Sequence, residues 1–464
     1  MLQIYNSFTQ KKELFKPINP PKVGIYVCGL TVYDYCHIGN ARILVFFDTV
    51  VRYLKEREFE VNYVRNITDI DDKIIERAAK NHEDVKALTD RFIKIMHEDA
   101  KALGTLLPNT QPLATEHITD IIEMIAILIA NDYAYVAKNG DIYYDTRKFA
   151  DYGQLAHQDL KNLKSGIRVE VSDVKHDPLD FALWKLAKLN EPSWDSPWGK
   201  GRPGWHSECA AMSTRYLGKH FDIHGGGVDL QFPHHQNETA QAQIAYSSKF
   251  VNTWMHVGYV QVNKEKMSKS MGNFFVLREA LKKYDAEVLR YFLLSSHYRS
   301  PLDYSSENLT HAKNALERFY LTLRDLPEIN GDEQDEQSNL IINFYRAMDD
   351  DFNTPKAIAA LFTIAREINR LRDSGEINSA ARLATQLRRL GGILGILQKN
   401  ARDFLHSNIN NDKIKQIGEL ISKRSLARKN RLWKEADQIR DQLITLGIEL
   451  EDTAQGTIWR VKQY

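Results

Sequence analysis

The sequence predicts an α/β protein: a doubly wound parallel sheet carrying an insertion, then a helical bundle, then a small C-terminal α+β domain. Three observations carry that prediction. Near the N-terminus, short β-rich runs alternate with segments of helical apolar spacing. Beyond residue 350 the apolar residues recur at intervals of three and four, as on helices packed in a bundle. The tail adds one more such helix and two short β-like runs. A chain of 464 residues has room for roughly three domains at ~150 residues each.

The first strand is read at Val23–Gly29, a β-rich run ending on glycine. Asn40–Lys55 follows with Ile43, Phe46, Phe47, Val50, Val51 and Leu54 on one helical face. Glu60–Ile67 is a second β-branched run, and Thr68-Asp69 after it can cap a helix starting near Ile70. Strand, helix, strand, helix is the order of a parallel sheet, whose ligands sit at the carboxyl ends of the strands. Ile118–Ala130 is the most apolar stretch, but it carries Asp120 and Glu123 and is too short to span a bilayer. From Asp141 to Gly204 the pattern is irregular and rich in Pro, Gly and Trp, as an insertion would be. After Gly258 come one β-like run, a lysine-rich loop at Lys264–Ser270, and helices. Pro327–Ser338, with five acids and no base, reads as a solvated linker. Leu361, Ile364, Ala365, Ile368 and Leu371, then Leu383, Leu387, Leu390 and Leu394, mark bundle helices. In the tail, Ala436, Ile439, Leu443 and Leu446 share a face, and Ile448–Leu450 and Thr457–Val461 are the β-like runs.

Composition narrows the function classes. Sixty-two Lys and Arg nearly cancel sixty-one Asp and Glu, and a net charge of +1 argues against a histone-like coat for nucleic acid while leaving room for a local basic patch. Three cysteines cannot build a disulfide framework and suit a reducing compartment. The N-terminal residues show no apolar run after a basic start, so no signal peptide is expected. The expectation is a soluble cytoplasmic protein without a membrane partner.

Cys36-His37-Ile38-Gly39-Asn40 lies between a strand and a helix, where backbone N–H groups and the positive helix end face a ligand and suit phosphate. His37 and Asn40 can donate to phosphate oxygens there, or they can simply cap the helix. Lys266-Met267-Ser268-Lys269-Ser270 lies between Gly258 and Gly272; such lysines suit the spread negative charge of a transferring phosphoryl group, although most lysine-rich loops are only solvated surface. Pro233 suits the first turn of a helix, so His234 and Glu238, four apart, project from one face as a surface pair or as metal ligands. Ile421–Lys434 holds six Lys or Arg, no acid and Trp433, a composition suited to phosphates and an unpaired base or to a plain solvated face.

These motifs combine into a resemblance. Lys266–Ser270 is the complete KMSKS motif of class I aminoacyl-tRNA synthetases, and His37–Asn40 is similar to their HIGH motif, ending in asparagine. Cys28–Asp34, Asn66–Lys73, Gly201–Cys209 and Phe221–Glu238 resemble the cysteinyl-tRNA synthetase family, and the likeness runs from Tyr5-Asn6-Ser7 to Gly456-Thr457-Ile458-Trp459. The resemblance implies a Rossmann-like catalytic domain at 1–120 and 201–250, a connective insertion at 121–200, a KMSKS region at 251–310, a helical bundle at 311–400 and an anticodon-binding domain at 401–464. It implies activation of L-cysteine by ATP and transfer to the 3′ end of tRNA(Cys) by a monomer.

By the same resemblance His37, Asn40, Lys266 and Lys269 are catalytic, and together with Ser268 they bind ATP, with Mg²⁺ accompanying the nucleotide. One Zn²⁺ per chain is assigned to Cys28, Cys209, His234 and Glu238. Gly29, Thr31, Thr68, Trp205, His224 and Asp229 are candidates to hold the amino acid, although Thr68 is equally a helix cap. Of His206, His224, His235 and His256, one or two are expected to line the pocket while the rest orient ligands. Cys36 is expected only to pack. Arg428, Trp433, Asp437 and Asp452 are the expected anticodon contacts. The metal has a chemical purpose: cysteine and serine differ by sulfur for oxygen, and zinc takes a thiolate far better than a neutral hydroxyl. Two rival readings share parts of this pattern. One is a ligase that joins cysteine to an amino-sugar and lacks the RNA-binding tail; the other is a non-catalytic RNA-binding paralogue.

Overall fold

The computed structural model describes residues 1–157, 174–189, 191–262, 265–266, 275–327, 329, 339–406, 411–453 and 456–461. Ser268 and Lys269, and most of the expected linker Pro327–Ser338, lie outside the described residues. The chain divides into two units: Met1–Ala312 with Glu333–Thr363 and Arg389–Ile396, and Lys313–Asp332 with Ile364–Arg388 and Leu397–Tyr464.

The first unit opens with a small antiparallel hairpin, β1 (Gln3–Asn6) and β2 (Lys11–Leu14). Its centre is a four-stranded sheet, all parallel, built from β3 (Lys22–Thr31), β4 (Glu60–Thr68), and two strands far downstream, Phe221–Gly227 and Val251–Val257. Between β3 and β4 runs α1 (Ile38–Glu56), whose Phe46, Phe47, Val50, Val51 and Leu54 are buried, as their spacing predicts, while Ile43 is only half-buried. The helix expected after β4 does form, but its cap is different. Asp71 accepts from the Lys73 amide and starts α2 (Asp72–Asn81), whereas Asp69 takes the amide and hydroxyl of Thr115. The shift of two residues arises because the tertiary partner of Asp69 displaces the local capping interaction.

After α2 and α3 (Val85–Ala102), the apolar stretch Ile118–Ala130 forms α4. Its Ile121, Ile125 and Leu128 pack with Tyr144, Phe181 and Trp184 of an antiparallel sheet, β5 (Ala134–Val136), β6 (Ile142–Tyr144), β7 (Phe181–Leu186) and β8 (Gly201–Pro203). α5 (Trp205–Leu217) then leads into β9 (Phe221–Gly227), and α6 (Gln236–Tyr246) into β10 (Val251–Val257). The strand order β10-β9-β3-β4 means that the chain leaves β3 first to one side and later returns to the other. The crevice between the carboxyl ends of β3 and β9 is therefore the topological switch point, where such sheets bind ligands.

β11 (Val260–Val262) pairs with β12 (Glu265–Lys266) and, after α7 (Leu277–Lys283) and α8 (Ala286–Leu294), with β13 (Leu302–Asp303). Asp48 of α1 is buried and holds α8 through Arg290, itself 1% exposed. Four long helices follow: α9 (Ser306–Leu323), α10 (Asn339–Asp349), α11 (Thr354–Asp373) and α12 (Ile377–Leu394).

Within the second unit, Phe319 and Tyr320 of α9, Ile364 and Ile368 of α11, and Ala380, Ala384 and Leu387 of α12 are buried. Tyr320 also stacks on Phe404 of α13 (Ala401–Leu405). Leu383 is only half-buried; the small Ala380, Ala381 and Ala384 take the inner face at that turn. The tail pairs α14 (Asn411–Lys429) with α15 (Trp433–Thr445) and an antiparallel hairpin, β14 (Ile448–Thr453) and β15 (Gly456–Val461). Ile417, Ile439, Leu443 and Ile448 form its core.

Candidate active site and metal centre

Four elements deliver donors to the switch point: β3 brings Cys28, α5 brings Cys209, β9 brings His224, and α6 with the turn before it brings His234, His235 and Glu238. β3 is irregular between Val27 and Leu30, and Gly29 sits in that irregularity. Its amide donates to Asn66 Oδ1 at 2.7 Å, and a Cβ there would stand 1.6 Å from the Asn66 carbonyl oxygen. Only glycine allows β3 and β4 to approach this closely and leave Cys28 turned into the site. The turn Gln231–His235 is irregular, with Phe232 extended, so the regular helix begins after Pro233 and not on it. His234 and Glu238 nonetheless share a face, with His234 Nε2 at 2.9 Å from Glu238 Oε1.

One donor atom from each of Cys28, Cys209, His234 and Glu238 lies within 4.8 Å of all the others, and all four residues are buried. The two sulfurs are 3.7 Å apart, and Cys28 Sγ is 3.4 Å from Glu238 Oε1. Two thiolates held at about 2.3 Å by one tetrahedral zinc stand roughly 3.8 Å apart, so this donor set fits such an ion in both spacing and chemistry. A second set, Cys28, His224, His235 and Glu238, shares two members with the first. The four expected residues thus come together, and the fold can hold a metal there.

The other histidines surround that set. His224 is fully buried, and its Nε2 is 2.7 Å from Glu238 Oε2; its ring stacks on Trp254. His235 Nε2 is 3.3 Å from Cys28 Sγ, and its Nδ1 is 2.8 Å from His256 Nε2. His206 Nδ1 is 3.0 Å from His234 Nδ1. Where a metal is bound, contacts of this kind hold its ligands in place. Trp205 stacks on His234 at 4.3 Å and keeps 37% of its surface exposed, so it forms a wall between the buried donors and solvent.

The electrostatics follow from burial and mutual contact. Burial opposes a thiolate at Cys209, but hydrogen bonding to Cys28 and the adjacent His234 bring its pKa down to about 6. Burial and the neighbouring Cys209 push the Cys28 thiol up. Burial opposes charge on Glu238, yet His224 and His234 hold its carboxyl well below the usual range. Burial works against a proton on His234, while Glu238 and Cys209 raise its pKa to about 10. Burial first, and then the neighbouring imidazoles, keep His235 and His256 neutral, the latter down to about 3.

Around this centre, Thr31 and Thr68 face each other in register at the ends of β3 and β4, and Asp229 is exposed in the turn after β9. At the start of α1, His37 Nδ1 accepts from the Asn40 amide at 3.1 Å, and Asn40 Oδ1 accepts from the His37 amide at 3.2 Å, a reciprocal cap. The described flank beyond the lysine motif is stitched to the same turn: Ile38 donates to the Phe275 carbonyl and Leu277 to that of Cys36. Lys266 pairs through its backbone with Gln261. Cys36 is buried, which pushes its thiol up to about 12 and leaves it inert.

In the tail, Trp433 opens α15 with 59% exposure, and Asp437 is exposed on the same helix. Asp452 is gripped by both terminal nitrogens of Arg424 at 2.8 Å and by Arg428 at 2.5 Å. Sequence reasoning missed Arg424, which lies in the basic run it singled out but is buried. It also missed Glu208, fully buried beside Cys209, where burial pushes its carboxyl far up. No local pattern marks either residue.

Residues 14–314 match the tRNA synthetases class I (C) catalytic domain, residues 343–398 the DALR domain, and residues 415–460 the cysteinyl-tRNA ligase anticodon binding domain. The cysteine–tRNA ligase of Thioalkalivibrio sulfidiphilus is 58% identical over 461 residues, 99% of this chain and 100% of that protein. That of Coxiella burnetii (strain Dugway 5J108-111) is 56% identical over 459 residues, again 99% and 100%. Among solved structures, Mycobacterium tuberculosis methionyl-tRNA synthetase in complex with methionyl-adenylate shares the fold, with a TM-score of 0.57 at 14% identity over 86% of this chain and 94% of that one. With its catalytic, DALR and anticodon-binding parts all matched, the chain belongs to the cysteine–tRNA ligase family of class I tRNA synthetases.

Proposed function

We propose that this chain activates L-cysteine with ATP and transfers the cysteinyl group to the terminal ribose of tRNA(Cys), selecting cysteine through a zinc-bound thiolate. The observation that carries the reading is the buried set Cys28, Cys209, His234 and Glu238 at the switch point, together with the reciprocally capped His37–Asn40 turn at the start of α1 in the same catalytic unit. Zinc on those four residues would supply a soft Lewis acid that takes the substrate sulfur and leaves serine unbound.

The chain's own groups do the rest. His224 and His206 fix Glu238 and His234, and Trp205 covers them from solvent. His37, Asn40 and the positive start of α1 face the phosphates of ATP, and Lys266 and Lys269 neutralise charge as it develops, with Mg²⁺ on the nucleotide. A carboxylate oxygen of cysteine attacks the α-phosphorus, pyrophosphate leaves, and a ribose hydroxyl then displaces AMP from the mixed anhydride. No protein nucleophile is required. Thr68, Gly29, Thr31 and Asp229 orient the amino acid, while Arg428, Trp433, Asp437 and Asp452 meet the anticodon. The division into 1–120 with 201–250, 121–200, 251–310, 311–400 and 401–464 follows those roles. No helix among the described residues is long and apolar enough to cross a membrane. A cytoplasmic monomer is part of the proposed reading.

Exchange of labelled pyrophosphate into ATP tests the first step. It should require cysteine, ignore serine and stop on chelation, and the same protein should charge tRNA(Cys). Equal exchange with serine, or undiminished exchange in metal-free protein, would overturn zinc selection. Ligation of cysteine to an amino-sugar without tRNA charging would favour the rival ligase, against which the matched tail already counts.

A further inference from the structure

Arg42 lies near the start of α1 with only 2% of its surface exposed. Its Nη1 donates to the carbonyls of Gly258 at 2.8 Å and Tyr259 at 3.0 Å, and its Nη2 to those of Ser300 at 2.7 Å and His297 at 3.1 Å. Among the described residues no ion pair joins it to a carboxylate. A buried cation without a counter-charge is costly, so four carbonyl dipoles carry it. Burial lowers its pKa to about 10 and leaves it charged at neutral pH.

The four carbonyls belong to two segments packed backbone to backbone. The Gly258 amide donates to the Tyr298 carbonyl, and a Cβ at Gly258 would stand 2.7 Å from the Arg299 carbonyl oxygen and 2.8 Å from that of Ser300. From Tyr259 the chain runs directly into β11, where Gln261 pairs with Lys266. The other flank of the lysine motif, Phe275–Leu277, is bonded to Cys36 and Ile38. One helix therefore holds both described flanks of that motif: by backbone at its first turn, and by Arg42 a turn further on.

We propose that Arg42 is a positioning residue for adenylate formation, fixing Gly258 and Tyr259 so that Lys266 stands at a set place relative to His37 and Asn40. The inference rests on the function proposed above. Lysine cannot replace it, because an ammonium lacks the planar fork that bridges two pairs of carbonyls.

The test is pyrophosphate exchange by the full chain carrying Arg42→Lys and, separately, Gly258→Ala, which disturbs the same entry while retaining the arginine side chain. A small misplacement of a charge-stabilising group costs up to about 10²-fold in rate, so kcat should fall by that order. The KM for cysteine and the zinc content should stay at wild-type values, since neither variant touches the donors around Cys28. A folded Arg42→Lys with wild-type kcat overturns the inference, as does a loss of cysteine affinity and zinc in step with kcat. If Arg42→Lys fails to fold, Gly258→Ala with wild-type kcat overturns it as well. A wild-type chain without cysteine-dependent exchange would instead remove the functional reading, and this inference with it.

Discussion

Cys209 owes its chemistry to its neighbours. A buried thiol ordinarily resists ionisation, yet contact with Cys28 and His234 lowers the pKa of this one below its ordinary value. Cys36, equally buried but without such partners, is pushed to about 12. Cys209→Ser should therefore cost the site its zinc and its hold on cysteine while sparing ATP affinity. The loss of metal affinity should exceed the about 10–100-fold typical of losing an outer hydrogen-bond partner. Metal analysis and calorimetric titration with cysteine and with ATP check this, and equal weakening of both ligands would contradict it.

The tail shows how an element is pinned by one carboxylate. Asp452 on β14 holds α14 through Arg424, which is buried, and through Arg428. Hydrogen bonds from Arg424 are the main cause that holds its carboxyl well below the usual range; partial burial opposes them, and Thr457 and Arg428 add to the pull. A depressed carboxylate contributes stability above its unfolded pKa of about 3.9 and loses it as the pH falls through the folded value. Hydrogen-exchange protection of α14 and the hairpin should thus fall from about pH 5 downward. Arg424→Met should flatten that dependence, and an unchanged acid profile in the variant would refute the pairing as its source. The same geometry bears on the proposed anticodon contact: Asp452 is already engaged by two guanidinium groups, which leave the trio with a net positive charge, whereas Trp433 stands free of the tail's core.

For the molecule as a whole, activation and RNA recognition belong to different parts of the chain, matched separately at 14–314 and 415–460. Trp433→Ala should cost about 1–3 kcal/mol of tRNA binding if the indole stacks on an unpaired base. Cysteine-dependent pyrophosphate exchange should remain at the wild-type rate. Since Trp433 is 59% exposed and absent from the core of Ile417, Ile439, Leu443 and Ile448, the melting temperature should hardly move. Filter binding, exchange and melting together decide the matter, and unchanged tRNA affinity would place the contact elsewhere on the tail.

Periodicity was enough to read α1, α11, α15 and the parallel order of β3 and β4, because a helix or strand with one buried face writes its repeat into consecutive residues. The motifs at Cys28, His37, Cys209 and His234–Glu238 were legible through family resemblance, since their residue types are rare enough in combination to be recognised. Spacing could not bring Cys28 to within 3.7 Å of Cys209, 181 positions away, for that separation is set by how β3 and α5 pack. Nor could it show that Asp69 bonds Thr115 and yields the helix cap to Asp71. Arg42, Arg424 and Glu208 were invisible for the same reason. A buried charge is defined by the carbonyls, guanidinium groups or carboxylates that distant segments place around it, and no local pattern encodes those partners.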